Sequence, residues 1–203
     1  MNISVSLEAD VDPVVHLILP MLLLLAAKLD SRVVVPLAIF AIVPDLDSLL
    51  GPHRMVLHNL FVVVGVPLAF ILITRVKRPA LVMPGAVIMF YLISHIVLDM
   101  SGVALLYPFY GDAFFFIPHV GLTTAPSLSF DFFIEWGTKP LEQTTHYTMI
   151  GDLGFALIIM VAVLAVIKRK ELPAWIRWEI AKARQLLAGF ARLLRSRSSG
   201  GSA

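Results

Sequence analysis

Residues 44–58, PDLDSLLGPHRMVLH, set two aspartates, two histidines and an arginine between long apolar runs. Ionisable groups among hydrocarbon side chains are costly unless they are paired, neutralised or bound to a metal, so this stretch constrains fold and function together. Pro44 cannot donate a backbone hydrogen bond and favours a turn or a new helix start, which lets Asp45 and Asp47 face one ion. His58 follows on the next predicted helix. Further along, the run HIVLD places His95 and Asp99 at i and i+4, on one helical face. These residues, with His16 in the first apolar run, form a candidate metal cage: His16, Asp45, Asp47, His58, His95 and Asp99. The three carboxylates among them, with Arg54 the single nearby base, would repel one another without such a cation. The chain contains no cysteine, so the donors are oxygen and imidazole; they fit zinc, manganese or iron better than a thiolate-bound metal and do not separate the three.

The rest of the chain sets the expected surroundings. With 59% hydrophobic and 15% charged residues and a mean hydropathy of +0.88, it is too apolar for an ordinary soluble domain. Apolar runs cover residues 14–27, 33–43, 55–74, 80–98 and 149–167. The expectation is an all-α membrane bundle of about five spans, with a C-terminal amphipathic interfacial helix. Acidic residues Glu8, Asp10 and Asp12 precede the first run where a signal peptide would be basic, so that run is expected to be retained. Fourteen of the sixteen basic residues fall on one side of such a bundle. The positive-inside tendency makes that side cytoplasmic and predicts a multi-pass inner-membrane protein with its N-terminus and site outside. At a rise of about 1.5 Å per residue, His16, Asp45, His58, His95 and Asp152 all lie roughly 18 to 26 Å from their cytoplasmic charges, at similar depth. The expected domains are a membrane-embedded metal-site unit, residues 1–170, and a basic tail, residues 171–203.

Residues 101–147 are rich in Gly, Pro and aromatics, including YPFY, FFF and SFDFFIEW, and suit a membrane interface, as a lid or an anchoring belt. In the tail, Trp175, Ile176, Ile180, Leu186, Leu187, Phe190 and Leu194 alternate with Arg and Lys, the pattern of a helix lying on anionic lipid. That lipid surface accounts for the bases, so membrane lipids and no nucleic acid are the expected partners. Asp152 between Gly151 and Gly154 reads as a helix-start carboxylate, and His119 and His146 as loop residues outside the chemistry.

His16 in an apolar run, then PDLD, HR and His58, then SHIVLDMSG leading into LLYPF, resembles the YdjM-like family of membrane-bound proteins predicted to be metal-dependent hydrolases. The resemblance covers residues 16–109 and departs at HN, 58–59, where a serine is expected after the histidine. The family is distantly allied to the all-helical zinc-dependent phospholipases C, which implies a helical metal site acting on phosphoester bonds. It carries over His16, Asp45, Asp47, His53, Arg54, His58, His95 and Asp99. The expected activity is hydrolysis of a lipid or lipid-linked phosphate by a metal-activated water, with Asp47 as base, Arg54 on phosphoryl charge and His53 beside them. An ion-coupled carrier and a metal-stabilised scaffold are the competing expectations.

Overall fold

The computed structural model describes residues 2–6, 12–49, 54–123, 129–141 and 150–167. Helix α1, Pro13–Ala26, starts where the Asp12 carboxylate accepts a hydrogen bond from Val15 N at 3.0 Å and Pro13 supplies a first residue that needs no N–H partner. It stops before Lys28, whose φ of 62° cannot continue a right-handed helix. Helix α2, Ser31–Leu37, is capped by Asp30 and tightens at once into a 3-10 segment, Ala38–Ile42, followed by a second, Pro44–Leu49. Asn59 Oδ1 then accepts from Val62 N and starts a π turn, Phe61–Gly65, which leads into α3, Val66–Lys77. Helix α4, Val82–Leu98, follows a short 3-10 turn, and α5 is Asp152–Ile167.

Helix α4 is the axis of the helical part. On one side Val87 and Tyr91 pack with Leu24 of α1, Val34 of α2 and Ala38 and Ala41 of the 3-10 segment, and the Tyr91 hydroxyl donates to Val34 O at 2.9 Å. Around the helix, Leu92 and Ile96 pack with Val63 and Val103. Two apolar cores built on one helix fix the direction in which its remaining face, with His95 and Asp99, points.

The expectation of an all-α bundle of five spans does not hold: the fold is mixed. Strands β1, Asn2–Ser6, β2, Ala113–Thr123, and β3, Ser129–Lys139, form one antiparallel sheet in the order β1-β2-β3. The segment 101–147, read as an aromatic loop, contains the β2–β3 pair; its aromatic and β-branched residues favour a pleated surface. Among the described residues, Pro118 pairs with Ile134 on β3 alone, the described part of β1 reaching only the His119 register. Among the described residues, one helical stretch, Pro79–Leu98 with 20 residues, is long and apolar enough to cross a membrane. Three of the other apolar runs are interrupted, since α1 has 14 residues, α2 gives way to 3-10 geometry after 7, and α3 has 12 because a loop and a π turn occupy its first part; α5 has 16 described residues. Hydrophobic length in the sequence therefore exceeded helical length in the fold.

The chain divides into two compact units, residues 1–158 and 159–203. In the second, the described part is the end of α5, residues 159–167. The amphipathic tail helix expected over 171–203, and with it the expected anionic-lipid contact, lies outside the described residues, as do His53 and His146.

Candidate metal centre

Three histidines are each oriented through Nδ1 by a group that can only accept. On α1, His16 Nδ1 donates to Asp12 O at 3.1 Å; on α4, His95 Nδ1 donates to Ala41 O at 2.6 Å. In the turn before the π segment, His58 Nδ1 donates to Asp47 Oδ2 at 2.8 Å. A proton held on Nδ1 leaves the Nε2 lone pair as the reactive end of each neutral ring, the arrangement in which imidazole binds metals.

Asp45 and Asp47 part company because a 3-10 helix turns about 120° per residue, so positions two apart face different ways. Asp45 turns toward His95, its Oδ1 3.5 Å from His95 Nε2. Asp47 turns toward the following loop, where its oxygens accept from Met55 N at 2.9 Å, Leu57 N at 2.6 Å and His58 Nδ1. Burial raises the Asp47 pKa, but the His58 contact and the two backbone donors outweigh it and hold the carboxyl below its ordinary value.

The remaining donors converge. One ligating atom from each of Asp45, His58, His95 and Asp99 can be chosen so that all lie within 4.8 Å of one another, and this group can hold a metal ion. His58 Nε2 and His95 Nε2 stand 3.0 Å apart, each 3.4 Å from Asp99 Oδ2. With both Nδ1 atoms donating, that approach brings two lone pairs together unless a cation relieves it, either a proton on one ring or a metal ion. Asp45 Oδ2, Asp99 Oδ2 and His16 Nε2 are buried without a hydrogen bond. His16 Nε2 lies 3.3 Å from Asp99 Oδ1 without hydrogen-bond alignment, and its ring stacks on His95 with centroids 4.0 Å apart.

Positive charge arrives from Arg54, whose Nη2 donates to Asp99 Oδ1 at 3.0 Å and Nη1 to Ser101 Oγ at 3.2 Å. Arg54 has a φ of 66°, a left-handed conformation held partly by Ala104 N donating to its carbonyl at 3.1 Å. Burial pushes the Asp99 pKa up; contacts from the three histidines and the Arg54 charge overcome this and hold it well below the usual carboxylate range.

The fold thus brings together His16, Asp45, Arg54, His58, His95 and Asp99, with Asp47 behind His58. Asp152 is the first residue of α5 and lies outside the four-residue donor set. His119 has a partner across the sheet, Glu135 at 3.2 Å, and stacks on Phe133. Sequence reasoning missed Asp12, whose backbone carbonyl holds His16 and whose carboxylate accepts from Gly151 N and Gly154 N as well as Val15 N. An acid directly before Pro13 is a readable N-cap signal. The Ala41 carbonyl that aims His95 has no such signal. No family model, curated protein or solved structure matches the chain.

Proposed function

We propose that the protein is a metal-dependent hydrolase of phosphoester bonds in lipid or lipid-linked substrates, with zinc the first candidate ion and manganese or iron the alternatives. The observation that carries this reading is the His58–His95 contact: two Nε2 atoms 3.0 Å apart, beside an Asp99 oxygen, with Nδ1 of both rings already donating. Two imidazoles and two carboxylates are a donor set that zinc accepts, and the sequence resemblance to the YdjM-like family draws on the same residues.

Asp45, His58, His95 and Asp99 would hold the ion, with Asp47 and the Ala41 carbonyl fixing the two rings. When bound, such an ion supplies Lewis acidity, acidifying a water and polarising a phosphoryl oxygen. His16, whose buried Nε2 lies beside Asp99, is positioned to accept a proton; Asp47, with three donors already on its two oxygens, serves better to orient His58. Arg54 places a guanidinium at the edge of the cluster, where phosphoryl charge would develop. Asp45, 22% exposed while His58 and His95 are fully buried, marks the approach.

In this reading the protein sits at a membrane through Pro79–Leu98, of which only 33% is buried within the chain. Arg75, Lys77 and Arg78 precede that stretch, and the positive-inside tendency supports a cytoplasmic first end, with His95 and Asp99 at the outer one. The competing reading, a proton or cation carrier, draws on the same contact, because a shared proton would also relieve it.

Elemental analysis of purified wild type, His95→Ala and Asp99→Ala, paired with assays on a phospholipid and lipid-phosphate panel, tests the choice. The expected result is one or two divalent ions in wild type, lost with hydrolysis in both variants. Folded, metal-free wild type that regains neither metal nor activity on metal addition would sink the hydrolase and favour the carrier.

A further inference from the structure

One face of α4 reads Gly85, Ile88, Leu92, His95, Asp99, spaced alternately three and four residues apart, so the five lie in a single stripe. The last two belong to the metal cluster. The first three line a cavity of about 360 Å³ whose other walls come from the 3-10 segments, the loop before the π turn, the π turn and α3. Two more lining residues adjoin donors along the chain: Pro44 precedes Asp45, and Leu57 precedes His58.

Every residue around this space is apolar. Such a volume is too large for an ordinary packing defect and falls at the small end of ligand pockets. Its walls give ordered water no partners. Its far end is closed where α3 and α4 touch: a Cβ on Gly85 would lie 2.9 Å from Ile71 Cγ1 and 3.0 Å from Phe70 Cδ1. The space is therefore an apolar slot, closed at its Gly85 end and open to the surface along Val66 and Phe70, whose lining residues Pro44, Leu57 and Leu92 adjoin the cation-binding donors along the chain.

We propose that this slot holds the tail of a single-chain phosphate amphiphile, with its head at Asp45, His58, His95 and Asp99, and that the Gly85 end sets the longest tail accepted. The proposal rests on the hydrolase reading for the identity of the head and adds the tail. Head and tail are joined by the charge pattern: the cluster, with its ion and Arg54, offers an anion its partners, while the slot rejects any polar group. From His95 back to Gly85 the helix rises about 15 Å, a length that a tail on the order of a dozen carbons spans.

The test uses the full chain, metal-loaded, in nanodiscs, with a dodecyl phosphate carrying a terminal diazirine as photolabel and unlabelled alkyl phosphates of increasing length as competitors. Competition should strengthen about fourfold per methylene and stop improving near a dozen carbons. The label should map to the peptides holding Val62, Val66, Ile88 and Leu92, and dodecanol should compete far less well than dodecyl phosphate. Val66→Trp, at an exposed position on the rim, should shorten the longest useful tail; if that variant does not fold, the label map in wild type decides. Potency that keeps rising with length, or label spread over other surfaces, would mean bulk partitioning and overturn the slot. Dodecanol competing as well as dodecyl phosphate would detach the head from the cluster and overturn the proposal. A sharp length limit without cleavage of any phosphoester would leave the tail site standing and remove the hydrolase; cleavage of p-nitrophenyl phosphate without any length limit would do the reverse.

Discussion

Asp47→Asn is the substitution that most directly probes how the centre is built. The carboxylate is fully buried and accepts from Met55 N, Leu57 N and His58 Nδ1, with Oδ2 taking two of the three. An asparagine in the same place keeps one acceptor oxygen and turns the other position into a donor. If the amide nitrogen replaces Oδ2, it opposes two donors; if it replaces Oδ1, it opposes Leu57 N. Each buried donor left without a partner costs about 1 to 3 kcal/mol, so the expected loss of stability is about 2 to 4 kcal/mol. The first orientation also pushes the His58 proton from Nδ1 to Nε2, the atom that faces His95 and Asp99, and a protonated Nε2 cannot bind a metal. Loss of a carboxylate that orients a ligating histidine typically weakens metal affinity about 10- to 100-fold. Denaturant unfolding without metal and competitive chelator titration with metal measure the two effects separately. Unchanged stability and affinity would refute the orienting role. Complete loss of metal from a stably folded variant would instead make Asp47 a ligand in its own right.

Arg54→Ala should retain the metal and slow turnover on a lipid phosphate by about a hundredfold, as removal of one good transition-state donor does; loss of metal with normal turnover at saturating ion would reduce Arg54 to a partner of Asp99. Gly154→Ala puts a methyl group against both Asp12 carboxylate oxygens, which cap α1 and accept from the backbone ahead of and within α5, and should destabilise by about 1 to 2 kcal/mol in thermal or denaturant unfolding; wild-type stability would show that the clamp carries no weight. The Asp99 pKa is depressed from 3.8 in the folded chain, so its contribution to stability is complete above that value and drains away as pH falls through the lower folded one. Unfolding of metal-free protein followed from pH 6 downward should show this loss in wild type and less of it in Asp99→Asn.

What could be read from the sequence was whatever depends on spacing along one element or on local chemistry. His95 and Asp99 needed only the helical period, and Asp45 and His58 were found because polar residues cluster there against an apolar background. Asp47 was also found, but its orientation was not legible: the three donors it meets come from residues 55, 57 and 58, and only the loop that returns them makes the carboxylate a brace. The sheet was hidden for a different reason. In 113–123 and 129–139, aromatics occupy consecutive positions instead of alternating with polar residues, and Phe130, Phe132, Phe133 and Trp136 on β3 are all well exposed. A strand apolar on both faces gives no period-two signal and resembles an interfacial loop. Helix lengths failed because hydropathy does not register the switch from α to 3-10 geometry after Leu37 or the π turn before Val66.

These observations tie the centre to the packing around it. Helix α4 contributes Tyr91 and Val87 to one core, Leu92 and Ile96 to the other, and His95 and Asp99 to the cluster, so a shift of those two donors with the helix would move both cores. Anchoring of that kind raises the cost of an empty site, because His95 is held against His58 by the packing of α4 and the Ala41 carbonyl, and His58 by Asp47. The buried acceptors on Asp45, Asp99 and His16 add to the same imbalance. The free energy recovered when a cation satisfies these groups is therefore returned to the packing of α1, α4 and the Pro44–Leu49 segment, and metal affinity and fold stability should rise and fall together across ligand variants. Substitutions confined to the apolar slot, which touch none of the donors, should leave that coupling intact.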